Sequence, residues 1–193
     1  ETVRLGRSDL SVTRICLGTM TFGEQVDEAT SHAILDRALE RGVNFIDTAD
    51  IYTSGESERV IGETIGGAPG VLIATKGGYH GASPEAVAKA IEASRARLGR
   101  DVLDLYYLHR PDPRVQFEKS LAPIIAARDA GKVKNVGISN VSLTQLKSAR
   151  MLTPIAAVQN EYNLDHPDDE GVIDYCEEHG IAFVPFFPLR GSK

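Results

Sequence analysis

The chain has 193 residues, is 42% hydrophobic and 25% charged, and carries a formal net charge of −6. That balance is ordinary for a globular protein with one substantial core, so a single domain over 1–193 is the expectation. Scattered lysines and arginines argue against a nucleic-acid or anionic-membrane partner, and no apolar run approaches the roughly 20 residues of a membrane span. The opening "ETVRLGRSDLSV" lacks the charged-then-apolar secretory pattern, and two cysteines, Cys16 and Cys176, suit a reducing compartment as core thiols. A cytoplasmic protein is expected. Cys176 and His179 share a face of a predicted helix, but two ligands make no metal site, and none is expected.

In chain order, "TVRLGRSDLSVTRI" reads as two short strand-like runs around a polar turn, a hairpin suited to plug a barrel floor. Short apolar runs then recur: "ICLGTM" from Ile15, "VNFIDTA" from Val43, "VLIATK" from Val71, "LDLYYLH" from Leu103, "VKNVGISN" from Val133, "AAVQNEY" from Ala156 and "IAFVPFFPL" from Ile181. Helical stretches separate most of them. "EATSHAILDRALERG" carries Ala33, Ile34, Ala38 and Leu39 as its apolar stripe and stops at Gly42; "SPEAVAKAIEASRARLG" opens on Ser83 as N-cap with Pro84 first in the helix, and stops at Gly99. "SLTQLKSAR" starts with the Ser142 to Gln145 capping-box spacing, and "DEGVIDYCEEHG" ends on Gly180.

Strand then helix, repeated at about 22 to 32 residues, predicts βα units around a parallel sheet, whose strands are covered on both faces and therefore mostly apolar. The competing architectures are the doubly wound open sheet and the closed eight-stranded barrel. No strand-to-helix turn carries the glycine fingerprint of the open fold or a P-loop, which favours the α/β (β/α)8 TIM barrel with an N-terminal β-hairpin. Only about seven βα units are present, so the eighth strand and last helices are expected beyond Lys193.

Side chains at the C-terminal ends of barrel strands ring the active face. The predicted strands end in Thr19 and Met20, Asp47, Lys76, His109, Ser139 and Asn140, Gln159, and Phe186 with Phe187 and Pro188, while Tyr52 follows the second strand closely. Each has a plain structural role available, as cap, solvated end or core histidine; their convergence on one rim is what points to chemistry. A lysine ammonium at 4 Å contributes roughly 4 kcal/mol to a phenolate at an effective dielectric near 20, before desolvation subtracts its share, so Tyr52 beside Lys76 is expected to be an acidified proton donor. Asp47 would hold Lys76 protonated, and His109, as a neutral donor, would orient a carbonyl oxygen. Such a site protonates an oxygen that receives negative charge, as in carbonyl reduction by a hydride donor. Ser139, Asn140 and Gln159 offer hydrogen bonds to a carboxamide and Phe186 a face for a ring, which suits nicotinamide.

At these residues the chain resembles the aldo-keto reductases, through "GVNFIDTADIY", "IATKGG", "DLYYLHRPD", "GKVKNVGISN" and "AAVQNEYN". The resemblance implies a (β/α)8 NADPH/NADP+-dependent carbonyl reductase with Asp47, Tyr52, Lys76 and His109 as catalytic tetrad. It implies a cofactor site of Thr19, Met20, Asp47, Ser139, Asn140 and Gln159, continued by Phe186, Pro188 and Leu189. Phe186 stands where many members have tyrosine, and the segment that grips the adenosine 2′-phosphate in the family is not in the sequence. "VPFFPL" with "VQNEYN" is similar to the bacterial branch that includes pyridoxal reductases and general oxidoreductases. The expected partner is a small-molecule carbonyl substrate, with a monomer compatible. Three alternatives stand beside this reading. One is a Schiff-base aldolase using Lys76, opposed by Asp47. Another is a Ser139 hydrolase, opposed by Val141 where the nucleophile elbow needs glycine. The third is a cofactor-binding regulatory subunit.

Overall fold

The computed structural model describes residues 1–168 and 171–189. Strands β1 (Thr2–Arg4) and β2 (Ser11–Thr13) pair antiparallel with Thr2 opposite Thr13. Ser8 shapes the turn between them: its hydroxyl donates to the Leu5 carbonyl at 2.6 Å and accepts from the Leu10 amide at 3.2 Å. The predicted hairpin is therefore present.

Seven parallel strands follow, β3 (Leu17–Gly18), β4 (Phe45–Asp47), β5 (Leu72–Gly77), β6 (Leu103–Leu108), β7 (Val133–Ser139), β8 (Ala157–Gln159) and β9 (Ala182–Phe183). Between them run α1 (Glu28–Glu40), α2 (Glu56–Ile65), α3 (Pro84–Leu98), α4 (Phe117–Asp129), α5 (Leu143–Leu152) and α6 (Val172–His179). Strand order in the sheet equals chain order, each strand pairing with its predecessor. A doubly wound sheet reverses direction at a switch point, whereas a singly wound one curls on itself, so the sheet is a partly closed barrel of the (β/α)8 type.

The inward and outward faces form separate cores. Outward residues such as Ile46, Ile73, Tyr106, Val136 and Val158 pack under the helices. Inward Phe45, Ala74, Leu105, Tyr107 and Ala157 close on Leu5, Leu10 and Val12 of the hairpin, which seals the end where the strands begin. Polar inward side chains are thus pushed to the opposite end. Gly137 on β7 admits the Tyr107 ring: a Cβ there would lie 2.4 Å from a ring carbon.

The helix ends follow their sequence signals. Ser83 caps α3 by accepting from the Ala86 amide, Gly99 ends it at φ 62°, and α5 opens with the Ser142–Gln145 capping box. Gly180 ends α6 in the left-handed region; Asp169 and Glu170, at the start of that predicted stretch, lie outside the described residues. One stripe is corrected. In α1 the buried positions are Ser31 and Leu35, with Ile34, Ala38 and Leu39 flanking, while Ala33 is exposed. Asp27 caps α1, accepting from the Thr30 amide, and the buried pair Ser31 and Leu35, one turn apart, sets the inward face, with Ala33 turned away from it.

Candidate active site

The rim of the open barrel end encloses a cavity of about 670 Å³. Its centre is built from strand ends. Asp47 closes β4, Lys76 is the penultimate residue of β5, and His109 directly follows β6. Parallel pairing sets Asp47 beside Ala74 and Lys76 beside Tyr107, a stagger that brings all three side chains to one level.

Lys76 is 1% exposed and spends its three ammonium protons on Asp47 Oδ1 at 2.6 Å, the Thr48 carbonyl at 2.8 Å and Tyr52 Oη at 3.3 Å. Burial works against its charge, but the Asp47 carboxylate and then Tyr52 outweigh it, and the ammonium is held above its usual range. The second Asp47 oxygen, Oδ2, accepts from Gln159 Nε2 at 3.0 Å. Burial is also the main influence on Tyr52, and here it prevails: the phenol stays above 10 although Lys76 pulls it down. The sequence-based expectation of an acidified phenol is corrected by this desolvation. Tyr52 is fully protonated at neutral pH, the form in which a donor must wait.

Tyr52 reaches the rim through a left-handed turn. Thr53 and Ser54 lie at φ 48° and 57°, followed by Gly55 at 95°. Two consecutive non-glycine residues there are strained by roughly 1–2 kcal/mol each. Hydrogen bonds hold the turn: Thr53 Oγ1 donates to the Phe22 carbonyl at 2.7 Å and accepts from the Ser57 amide at 3.0 Å, while the Asp50 amide donates to the Lys76 carbonyl at 2.9 Å. The Tyr52 ring meets His109 edge-on, 6.0 Å between centroids. Burial, then Lys76 and Arg110, depress the imidazole from 6.5 to about 3, so it is neutral across the physiological range. Its Nδ1 is buried with no partner among the described residues, which leaves Nε2 as the nitrogen available for contact.

A second group flanks this centre. Asn140, at φ 56°, donates from Nδ2 to the His109 carbonyl and to Ser139 Oγ, both at 3.0 Å. Among the described residues the Ser139 proton and the amide oxygens of Asn140 and Gln159 have no partner and can bond a guest. A carboxamide, with one acceptor and two donor hydrogens, matches that set, and Phe186 adds a ring to the cavity wall. Thr19 and Met20 also line the cavity; Thr19 is buried, its hydroxyl donating to the Asp47 carbonyl at 2.8 Å. Pro188 lines it too, but Leu189 does not: after a turn at Phe187, φ 51°, Leu189 is 94% exposed. Sequence reasoning missed Cys16, Ile51, Tyr79 and Glu161 in the wall. Cys16 was legible as an inward position two residues before Gly18; Tyr79, in the loop after β5, carried no periodic signal.

A singly wound βα barrel with an ammonium-backed phenol and a neutral imidazole at the strands' C-terminal ends belongs to the class of barrel enzymes. Within that class, residues 14–193 match the Aldo/keto reductase family, and the chain belongs to it. It is 36% identical to pyridoxine 4-dehydrogenase of Escherichia coli over 204 residues, covering 94% of this chain and 71% of that protein. An uncharacterised oxidoreductase of Schizosaccharomyces pombe is likewise 36% identical, over 99% of this chain and 67% of its own length. The aldo-keto reductase YhdN of Bacillus subtilis is 32% identical, over 98% and 62%. Among solved structures, the thermostable aldo-keto reductase Tm1743 superimposes with a TM-score of 0.91 at 26% identity, over 98% of this chain and 73% of that one. The holo form of AKR11C1 from Bacillus halodurans gives 0.85 at 28% identity, over 96% and 65%. The resemblance to the bacterial branch of the superfamily holds. The chain spans from 59% to 71% of the length of the curated relatives it matches.

Proposed function

We propose that the protein reduces aldehydes or ketones to alcohols, reversibly, with NADPH as hydride donor and Tyr52 as proton donor. The observation that carries this reading is the Tyr52 hydroxyl lying 3.3 Å from a fully buried ammonium that is itself held 2.6 Å from Asp47. When a carbonyl oxygen gains negative charge, Tyr52 delivers its proton, and the Lys76 ammonium stabilises the phenolate left behind. Asp47 keeps Lys76 charged and aimed. His109, neutral, donates to the carbonyl oxygen and fixes its approach without competing as an acid.

Bound nicotinamide supplies the hydride. Ser139, Asn140 and Gln159 would hold its carboxamide, with Phe186 against the ring and Thr19, Met20 and Pro188 completing the wall. The choice of NADPH over NADH and a small-molecule carbonyl substrate rest on the family resemblance, and a cytoplasmic setting on two cysteines read as core thiols. Among the described residues no helix is long and apolar enough to cross a membrane. The Schiff-base alternative is opposed by Lys76 itself: an amine with three hydrogen-bond acceptors and a raised pKa is not nucleophilic at neutral pH.

The test is NADPH oxidation with a panel of aldehydes by the natural protein and its Tyr52→Phe variant. Turnover should fall at least about a hundredfold, in line with loss of a general acid, while cofactor affinity changes little. Equal turnover removes Tyr52 from the acid's role.

A further inference from the structure

Arg110 follows His109 directly; it packs on Tyr79, a residue of the cavity wall, but is not itself part of that wall. It is exposed, yet its conformation is fixed at two points. Its Nε donates to the Tyr79 carbonyl at 2.9 Å, and its guanidinium carbon stands 3.9 Å above the centroid of the Tyr79 ring. Tyr79 in turn packs against His109, 4.8 Å between centroids, and forms part of the cavity wall. Imidazole and guanidinium therefore both contact the Tyr79 ring, the imidazole edge-on at 61° and the guanidinium over its face. Stacking and the Nε bond remove most of the rotamer freedom that makes an ordinary surface arginine a weak ligand.

Among the described residues the Arg110 cation lacks an anion: no carboxylate pairs with it. Asp112, two residues on, is taken by Arg114 at 2.8 Å and by the Ala82 amide at 3.2 Å. The terminal nitrogens of Arg110 have no hydrogen-bond partner among the described residues, whereas Arg59, Arg95 and Arg97 are each engaged by glutamates. Arg110 is also close enough to help keep the His109 imidazole neutral. Glu161, the acid on the cavity wall, sits after β8, two strands away, with His166 Nδ1 at 3.2 Å.

We propose that Arg110, positioned by Tyr79, is a specificity-determining residue that selects carbonyl substrates carrying an anionic group, carboxylate or phosphate, at the end remote from the carbonyl. This rests on the reductase reading of the site. The two contacts with Tyr79, at 4.8 and 3.9 Å, set an upper limit on the separation of imidazole and guanidinium, so the anionic group should lie no farther from the carbonyl than across an aryl ring or a short aliphatic spacer. Two free guanidinium nitrogens suit a bidentate carboxylate or phosphate contact.

The test compares kcat/KM for para-formylbenzoate and for its neutral methyl ester in the natural protein, in Arg110→Met and in Arg110→Lys. The wild type should favour the acid, and Arg110→Met should lower the acid-to-ester ratio about tenfold. Because loss of the charge alters His109 equally for both substrates, the ratio isolates the contact. Arg110→Lys should recover part of the preference, and added salt should erode it in the wild type. An acid-to-ester ratio unchanged in Arg110→Met overturns the proposal. The product analogue para-(hydroxymethyl)benzoate, titrated by calorimetry, gives a readout independent of turnover. If neither aldehyde is reduced, the reductase reading fails, and binding of that analogue decides about Arg110: about tenfold weaker in Arg110→Met supports the anion contact, and equal affinity overturns it.

Discussion

Asp50 is the acid that the fold leaves least comfortable. It lies in the turn after β4, and its Oδ1 is buried with no hydrogen-bond partner among the described residues. Burial first, and then the charge of fully buried Glu58, raise its carboxyl from 3.8 to about 6. A carboxyl raised in the folded state binds its proton more tightly there than in the unfolded chain, so ionisation costs stability. The cost is absent well below 3.8, grows between 3.8 and about 6, and is complete above that. The full gap corresponds to about 3 kcal/mol, and screening at a partly open turn reduces it to about 2 kcal/mol. Asp50→Asn removes the charge with little change of shape. At pH 8 it should raise stability by about 2 kcal/mol, or roughly 4–8 °C in Tm for a domain of this size. At pH 4 the gain should shrink below about 1 kcal/mol. Thermal melts followed by circular dichroism over pH 4 to 8 measure this. A variant less stable than wild type at pH 8, or a gain that does not change with pH, refutes the reasoning. Glu58→Gln in the same background tests the second cause: without the Glu58 charge the wild-type Asp50 penalty should lessen, so the added gain from Asp50→Asn should be smaller.

Other expectations follow from single contacts. Lys76→Met leaves the Asp47 carboxylate, 12% exposed in its side chain, without its cation; it should abolish turnover and cost about 3 kcal/mol by urea denaturation, with Asp47→Asn in the same molecule recovering part of that loss. Gly77→Ala sets a Cβ 2.1 Å from the Tyr106 hydroxyl and 2.9 Å from the Ala90 Cβ, so a loss of at least about 2 kcal/mol is expected, relieved in part by adding Tyr106→Phe. With His109 at about 3, the pH profile of kcat/KM from 4.5 to 8 should show no imidazole inflection. An inflection near 6.5 that disappears in His109→Gln contradicts the neutral donor.

The barrel was legible because its signals are periodic or local. Seven apolar runs, Ser83 before Pro84, and glycines at 42, 99 and 180 mark where each unit begins and stops, and parallel pairing then follows from the spacing. The strand-end rule located Asp47, Lys76, His109, Ser139, Asn140 and Gln159 for the same reason, since each lies at or directly after the C-terminal end of an apolar run. Loops obey no such period. Tyr79 and Arg110 meet because the turn after β5 folds back over the end of β6, and nothing in "KGGYHG" or "HRPDP" announces that contact. Leu189 lies outside the cavity wall and is exposed after a left-handed Phe187, a conformation of which phenylalanine gives no hint.

The Tyr52 acidity shows a deeper limit. Sequence supplied the neighbouring charge correctly, and the ammonium does pull the phenol down, yet the direction of the net shift depends on how much water is displaced, which only packing decides. The same packing decides whether the phenol arrives at all. Its position depends on Thr53 and Ser54 entering the left-handed region, with Thr53 bonded to the Phe22 carbonyl of the preceding loop. Neither residue type advertises that conformation, and the bond joins segments 31 positions apart. A proton donor held by a strained turn is geometrically exact only while its anchor holds. Weakening the anchor should therefore move the Tyr52 hydroxyl away from Lys76 without touching either residue, so Thr53→Val, which keeps the shape and loses the hydroxyl, should lower kcat while leaving cofactor affinity in place. Unchanged kcat in that variant would show that the turn keeps its conformation through Gly55 and the Asp50 amide alone, and that the strain contributes nothing to the site.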